Sequence, residues 1–352
     1  MAAMDQAGDA LATVAPALAF LLVGVPLAAL LDGLGFFDSV AGLLAERFGQ
    51  IPVLALWALA AATTVALNLD TTVVLLTPLY VRLARRSGVD PVPLALIPLL
   101  LAAFASSVLP ISNLTTLIAA EQLDLSVGDV LGHLGLPSLA AASIGWIAYR
   151  RIHPTRLAAV DGEVDRRPLR LGTPLVLAIL VGVTAGPSFG VAPWMVVLAA
   201  DLVLVAGVRR FPWRDVPIGT AAAVGAVAAA VGAFVSSDLL DPLRDATGPF
   251  AAAGVTALAA VTANVVNNIP ATLLVVDGAT RPTDGTWAWL LGVNVGAVLL
   301  PLGALANLLW LRIARDEGID VGLRRYARLV LPIAVPALVA AIVVQAVQAA
   351  VT

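Results

Sequence analysis

The chain contains no lysine and no cysteine, has two histidines, and carries charge on only 12% of its 352 residues. Each shortage excludes something. Without lysine there is no P-loop, kinase or Schiff-base lysine, so ATP-driven chemistry within the chain is disfavoured; energy must come from an ion gradient or another subunit. Without cysteine there are no disulfides, thiolate metal sites or thiol redox reactions. His133 and His153 do not make a histidine-rich metal site, and no HExxH or nucleophile–base set is visible. The expectation is therefore no enzyme, no catalytic residue, no cofactor, no metal and no nucleic-acid partner. The scarcity of charge also excludes a water-exposed exterior, since soluble domains are about 25% charged.

Apolar residues make up 60% of the sequence, and mean hydropathy is +0.98. Apolar runs near 11–31, 92–109, 130–149, 172–187, 191–208, 217–235, 287–300 and 327–350 are long enough, alone or with their flanks, to cross a bilayer as helices. They predict about eight transmembrane helices. The N-terminal MAAMDQAGDALATVAP lacks a basic region and a cleavage pattern, so 11–31 reads as a retained helix. The expected class is an all-α, multi-pass protein of the plasma membrane, with the lipid bilayer as its first partner.

All 20 basic residues are arginine. Let helix 11–31 run from outside to inside, and let two stretches, 51–84 and 250–278, enter and leave by the same side. Arg47, Arg82, Arg85, Arg86, the arginines of loop 150–170, Arg209, Arg210, Arg214, Arg312, Arg315, Arg324, Arg325 and Arg328 then fall inside. Only Arg244 and Arg281 fall outside. The asymmetry is that of the positive-inside rule, and it is lost if either stretch counts as a full crossing. Both termini are expected outside.

Each re-entrant stretch has apolar arms around a polar tip: Asn68-Leu69-Asp70-Thr71-Thr72 in the first, Asn264 and Asn267-Asn268-Ile269-Pro270 in the second. Non-helical backbone at membrane depth is tolerated only where protein or a cavity satisfies it. A broken helix follows each hairpin, at Leu109–Thr116 within 92–125 and at Leu300–Asn307 within 287–315. LPISNLTTL and LPLGALANL align on the proline and the leucines, an internal repeat. By the arginine distribution the first hairpin opens inward and the second outward. The expected architecture is thus two inverted repeats with two re-entrant hairpins and two broken helices: a first repeat at 1–149, a basic cytoplasmic linker at 150–170 and a second repeat at 171–352. The first repeat is expected to lack two helices that the second has, 172–187 and 191–208. Paired interrupted segments point to the central site of a secondary transporter.

Asp70 is the acidic residue inside the first hairpin. A carboxylate at that depth costs about 2.5–3.5 kcal/mol and is usually paired, protonated or functional. It is the candidate proton-coupling residue, against an alternative as a helix cap at the tip. Asp201, inside 191–208, competes for that role. Asn68, Thr71, Ser112, Asn113, Thr115, Asn267, Asn268, Asn294 and Asn307 are the candidate substrate-binding residues, offering amide and hydroxyl groups to a hydroxylated solute or an ion. The alternative is that they satisfy the backbone of the tips and breaks.

The segments LNLDTTVVLLTPL, LPISNLTTLIAAEQLDLS, NVVNNIPATLLV and LLGVNVGAVLLPLGALANLLWLRIA, in this order, resemble those of the arsenical-pump membrane protein family (ArsB type). That family lies within the ion transporter superfamily, with citrate and dicarboxylate carriers and sodium/proton antiporters. The resemblance implies export of arsenite or antimonite driven by proton entry, unaided or with a soluble ATPase subunit, and is compatible with a homodimer. The family's Asn-Asn-Asp tip falls on Asn68-Leu69-Asp70, so Leu69 replaces an amide. Its second break differs at Leu300, Ala304 and Asn307, where the family has hydroxyl-bearing residues. A citrate, dicarboxylate or silicate carrier, a sodium/proton antiporter and a non-transporting scaffold or partner subunit remain as alternatives.

Overall fold

The computed structural model describes the chain except residues 1, 37, 41, 44–51, 155–156, 158–164, 235–240, 277–278 and 352. Arg47 and Arg156 therefore lie outside the described residues, which contain helices and no strand. A long helix, α1 (Ala2–Gly33), is followed by a hairpin of α2 (Val53–Ala66) and α3 (Leu69–Arg86). A broken helix comes next, α4 (Pro91–Phe104) and α5 (Leu114–Gln122), and then the long α6 (Val127–Ile152). Three helices, α7 (Arg167–Ala185), α8 (Pro193–Val208) and α9 (Ile218–Phe234), lead to the second hairpin, α10 (Pro249–Val266) and α11 (Asn268–Val276). The second broken helix, α12 (Asp284–Val295) and α13 (Leu305–Asp316), precedes the long α14 (Leu323–Val351). Hairpin, broken helix and long helix thus occur twice in the same order.

Length and apolarity qualify Val14–Gly33, Val127–Ile152 and Leu323–Val351 as membrane spans. Pro249–Val266 meets the same measure. It is nevertheless an arm of a hairpin, because the chain turns at Asn267 and α11 packs back on it. Helix starts follow local chemistry. Asp90 accepts from the Val92 N–H at 3.0 Å, with Pro91 at the first helical position. Ser126 with Asp129, and Thr283 with Thr286, form reciprocal caps at the starts of α6 and α12.

The breaks lie further upstream than the motif alone suggests. Helix α4 stops at Phe104 and α5 resumes at Leu114, so Leu114–Thr116 are helical. Pro110 has no N–H to return to Ser106, four residues back, and it forces Leu109 into extended backbone (φ −127°, ψ 152°). Pro301 acts in the same way on Leu300 (φ −128°, ψ 157°). Each proline then opens a short 3-10 turn, Pro110–Ser112 and Pro301–Gly303.

The repeats are interleaved. Helix α13 packs on α3 of the first hairpin, and α11 of the second hairpin packs on α5. The long α6 and α14 lie along each other, while α1 is covered by α8 and α9. Helices α10 and α12 meet almost backbone to backbone: a Cβ on Gly292 would stand 2.3 Å from the Thr256 carbonyl oxygen. Such small-residue contacts are how helices approach in a bilayer, where apolar burial gives no preference for protein over lipid. Polarity is arranged to match. Large apolar residues such as Leu139, Val181, Leu202 and Val343 are exposed, whereas Asn113, Asn268, Asn294 and Asn307 are buried. This inverts the usual pattern of a protein in water.

Candidate functional site

The two hairpin tips are built alike. Asn68 caps α3, its Oδ1 accepting from the Thr71 N–H at 2.7 Å. Thr64 donates to Thr72 at 3.0 Å across the first hairpin, tying its arms together. Asn267 occupies the matching position at the second tip, accepting from the Ile269 N–H at 3.3 Å and donating to the Leu302 carbonyl at 3.0 Å. Its backbone (φ 79°, ψ 153°) lies in a region that suits glycine and costs a residue with a Cβ roughly 1–3 kcal/mol. Asn68 (φ 157°, ψ 176°) stands at the edge of that region. Backbone of this kind concentrates at functional sites, where surrounding contacts hold it in place.

The freed carbonyls of the breaks are claimed by side chains. Ser112 donates to Val65 O at 3.0 Å, joining the first break to its hairpin. In the second half the direction reverses: hairpin residue Asn264 donates to Gly296 O at 2.8 Å and accepts from the Leu300 N–H at 2.7 Å. Asn307 donates to Ala297 O at 2.8 Å and Leu300 O at 3.0 Å, and Tyr326 donates to Val298 O at 2.8 Å. Water in a soluble protein would serve these groups; here the chain must do it.

A cluster of side chains joins the two breaks. Asn294, near the end of α12, accepts from Asn113 Nδ2 at 3.0 Å and from the Thr115 hydroxyl, and donates to Thr116 Oγ1 at 2.9 Å. Asn113 also donates to Ser106 at 3.1 Å and caps α5.

Beside this cluster lies a small, mostly buried cavity of about 10 Å³, room for about one water molecule. Its wall includes Leu69 and Asn268 from the hairpin tips, Ala103 and Asn294 before the breaks, and Asn113 and Ala304 after them. These six are three repeat-related pairs, and each pair contains one amide and one apolar residue. Asn307 supplies a fourth amide, and no charged side chain is part of the lining. Four helices begin here: α3 at Leu69, α11 at Asn268, α5 behind Asn113 and α13 behind Ala304. Ala304 makes no side-chain cap, so the first N–H groups of α13 are left for another acceptor. Convergent helix N-termini present partial positive charge without a cationic side chain.

Of the nine residues expected to bind substrate, the structure thus brings Asn113, Asn268, Asn294 and Asn307 to the cavity wall. Asn68, Ser112, Thr115 and Asn267 are engaged in the bonds that shape the tips and breaks, and Thr71 is buried in the first turn of α3. Asp70 lies in that same turn, buried, with Oδ1 lacking a hydrogen-bond partner among the described residues. Asp201 is buried on α8, with neither carboxylate oxygen partnered among the described residues. Leu69, Ala103 and Ala304 were not anticipated as wall residues; the repeat alignment was the signal that could have found them.

A second cavity, about 530 Å³, opens beside the first break. It is lined by Leu109, Pro110, Glu121 and Asp124 on one side and Val191–Pro193 on the other.

Residues 3–295 match the family described as citrate transporter (CitMHS). An uncharacterized transporter of Mycobacterium tuberculosis (strain H37Rv) is 27% identical over 347 residues, covering 88% of this chain and 80% of the relative. Another from the same strain is 23% identical over 350 residues, covering 88% and 81%. The YdaH transporter of Alcanivorax borkumensis, described as having an unusual topology, is similar in fold, with a TM-score of 0.61 at 15% identity over 97% of this chain and 87% of that one. A multi-pass helical chain with two hairpins, two breaks and a small amide-bearing cavity between them, matched over most of its length, belongs to the citrate transporter family.

Proposed function

We propose that the chain is a secondary active transporter that carries a small oxygen-rich anion, of the carboxylate class, through the cavity between its two breaks. The observation that carries this reading is the convergence of four helix N-termini and four amides on one small space. Asn113, Asn268, Asn294 and Asn307 contact the cargo. Asn68, Thr71, Ser112, Thr115 and Asn267 hold the tips and breaks in shape. Asp70 takes up the coupling proton, its unpartnered oxygen being a buried carboxylate acceptor in the first hairpin. The cavity must enlarge to admit cargo, and alternating exposure of a midplane site supplies that change. The repeats divide at the 150–170 linker, with the arginine-rich side of the protein facing the cytoplasm and both termini outside the plasma membrane.

A specific observation favours a second cargo. The lining holds amides and no cationic side chain, which suits a neutral trihydroxide such as arsenite or antimonite as well as it suits an anion. One proton entering across 100 mV supplies roughly 2.3 kcal/mol. That sustains about a fiftyfold gradient of a neutral solute.

Counterflow into liposomes loaded with citrate, succinate or arsenite separates the readings. Exchange of the carboxylates and not arsenite supports the first, and the reverse supports the second. No exchange of any of them, from correctly inserted protein, would leave a membrane scaffold as the better account.

A further inference from the structure

One open space lies away from the proposed transport cavity. A groove of about 700 Å³ runs between the C-terminal end of α1, the first half of α7 and the second half of α8. Its depth is apolar, including Leu34, Leu171, Leu175, Val203 and Leu204. Gly33 and Gly207 leave room at the two ends of that floor. Water gains little in such a space, and at this depth the neighbouring medium is hydrocarbon.

The groove lining carries one charge of each sign, with further arginines next to it in sequence. Arg167 lines the groove beside Asp165, whose carboxylate accepts from the Arg167 backbone N–H at 2.9 Å. Arg167, Leu171, Pro174, Leu175 and Ala178 follow helical spacing, and Arg170 belongs to the same stripe. Both arginine side chains are exposed. Arg209 and Arg210, also exposed, follow directly after α8, where Gly207 closes the groove. One guanidinium group, that of Arg167, thus lines a slot whose other walls are mostly aliphatic, and Arg170, Arg209 and Arg210 are exposed close to its lining residues in sequence. The arginine distribution assigns this end of the slot to the cytoplasmic leaflet, where anionic headgroups are concentrated.

We propose that this groove is a binding site for one anionic phospholipid, with an acyl chain between α7 and α8 and the headgroup phosphate held by Arg167 and Arg170. Basic pockets between membrane helices at the cytoplasmic edge recognise anionic headgroups by charge, while the chain fills apolar space the protein leaves open. Arginine suits this role because its planar fork pairs with phosphate oxygens through two hydrogen bonds. The site touches neither hairpin nor break, so its success or failure is independent of the cargo.

The test uses the full chain in nanodiscs of equal phosphatidylglycerol and phosphatidylcholine, released into mild detergent for native mass spectrometry. One retained phosphatidylglycerol is expected in preference to phosphatidylcholine. The R167Q/R170Q variant should weaken its retention by about thirtyfold. Gly207→Leu, which fills the floor without touching charge, should displace the same lipid. Monodispersity and helical circular dichroism report on folding of both variants. Equal retention of the two lipids, or retention unchanged by both variants, would overturn the proposal. So would a photoreactive group at Leu171 that crosslinks to a second copy of the chain instead of to lipid.

Discussion

Asn113 and Asn294, from opposite halves of the chain, are bonded amide to amide, the nitrogen of Asn113 donating to the oxygen of Asn294 at 3.0 Å. Through Thr115 and Thr116 the same Asn294 side chain holds the start of α5 as well. Asn294→Ala leaves these buried groups short of partners, which costs about 2–4 kcal/mol in all. The melting temperature in detergent, followed by tryptophan fluorescence, should fall accordingly, and counterflow should be lost. A variant as stable as the parent would show that the link does not hold the two halves together.

Asp70 has an embedded oxygen with no partner among the described residues, although its hairpin is otherwise well bonded. Asp70→Asn keeps the shape and removes the proton site. Transport driven by an imposed pH gradient should vanish, while binding and helical content persist. Uptake that still responds to the gradient would remove Asp70 from coupling.

Leu69 and Asn268 stand at equivalent points of the two hairpins, and both reach the cavity wall. Leu69→Asn gives the first tip the amide that the second already has. It should change the counterflow rate of the cargo relative to the parent by about tenfold, the equivalent of one added hydrogen bond. The ratio of counterflow rates measures it, and an unchanged ratio would place Leu69 outside the cargo's reach.

His153 ends α6 outside the membrane span, beside the Tyr149 ring, and its Nε2 has no partner among the described residues. Burial pushes its pKa below the ordinary 6.5, with Asp90 pulling weakly the other way. Protonation is therefore easier in the unfolded chain. Its contribution to stability is full above pH 6.5 and declines as the pH falls through that value toward the lower folded one. His153→Gln should flatten the dependence of melting temperature on pH between about 7 and 5. The same slope in both proteins would assign the pH effect to other groups.

The hairpins and breaks could be read from sequence because each is marked by residues that leave helices, such as Asn68, Asn267, Pro110 and Pro301. The division of labour among the asparagines could not. Asn267 and Asn268 are neighbours in one motif, yet one bonds the Leu302 carbonyl and the other faces the cavity. That difference depends on the direction in which the chain leaves the turn, which residue type does not encode. The upstream limit of the first break was also hidden. Ser106 and Ser107 look compatible with a helix until the missing N–H of Pro110 is traced back one turn. Leu69, Ala103 and Ala304 carry no chemical signal at all, and only their pairing with Asn268, Asn294 and Asn113 gives them meaning.

The space enclosed by the breaks has room for about one water molecule. At that point, among the described residues, the lining leaves no room for a continuous file of hydrogen-bonded water, which would leak protons. A leak of that kind would dissipate the gradient on which a carrier depends. Interleaving sharpens the point, since α13 rests on α3 and α11 on α5. Opening one face must move elements of both halves, which on the proposed mechanism ties the release of a gradient's energy to a change of shape.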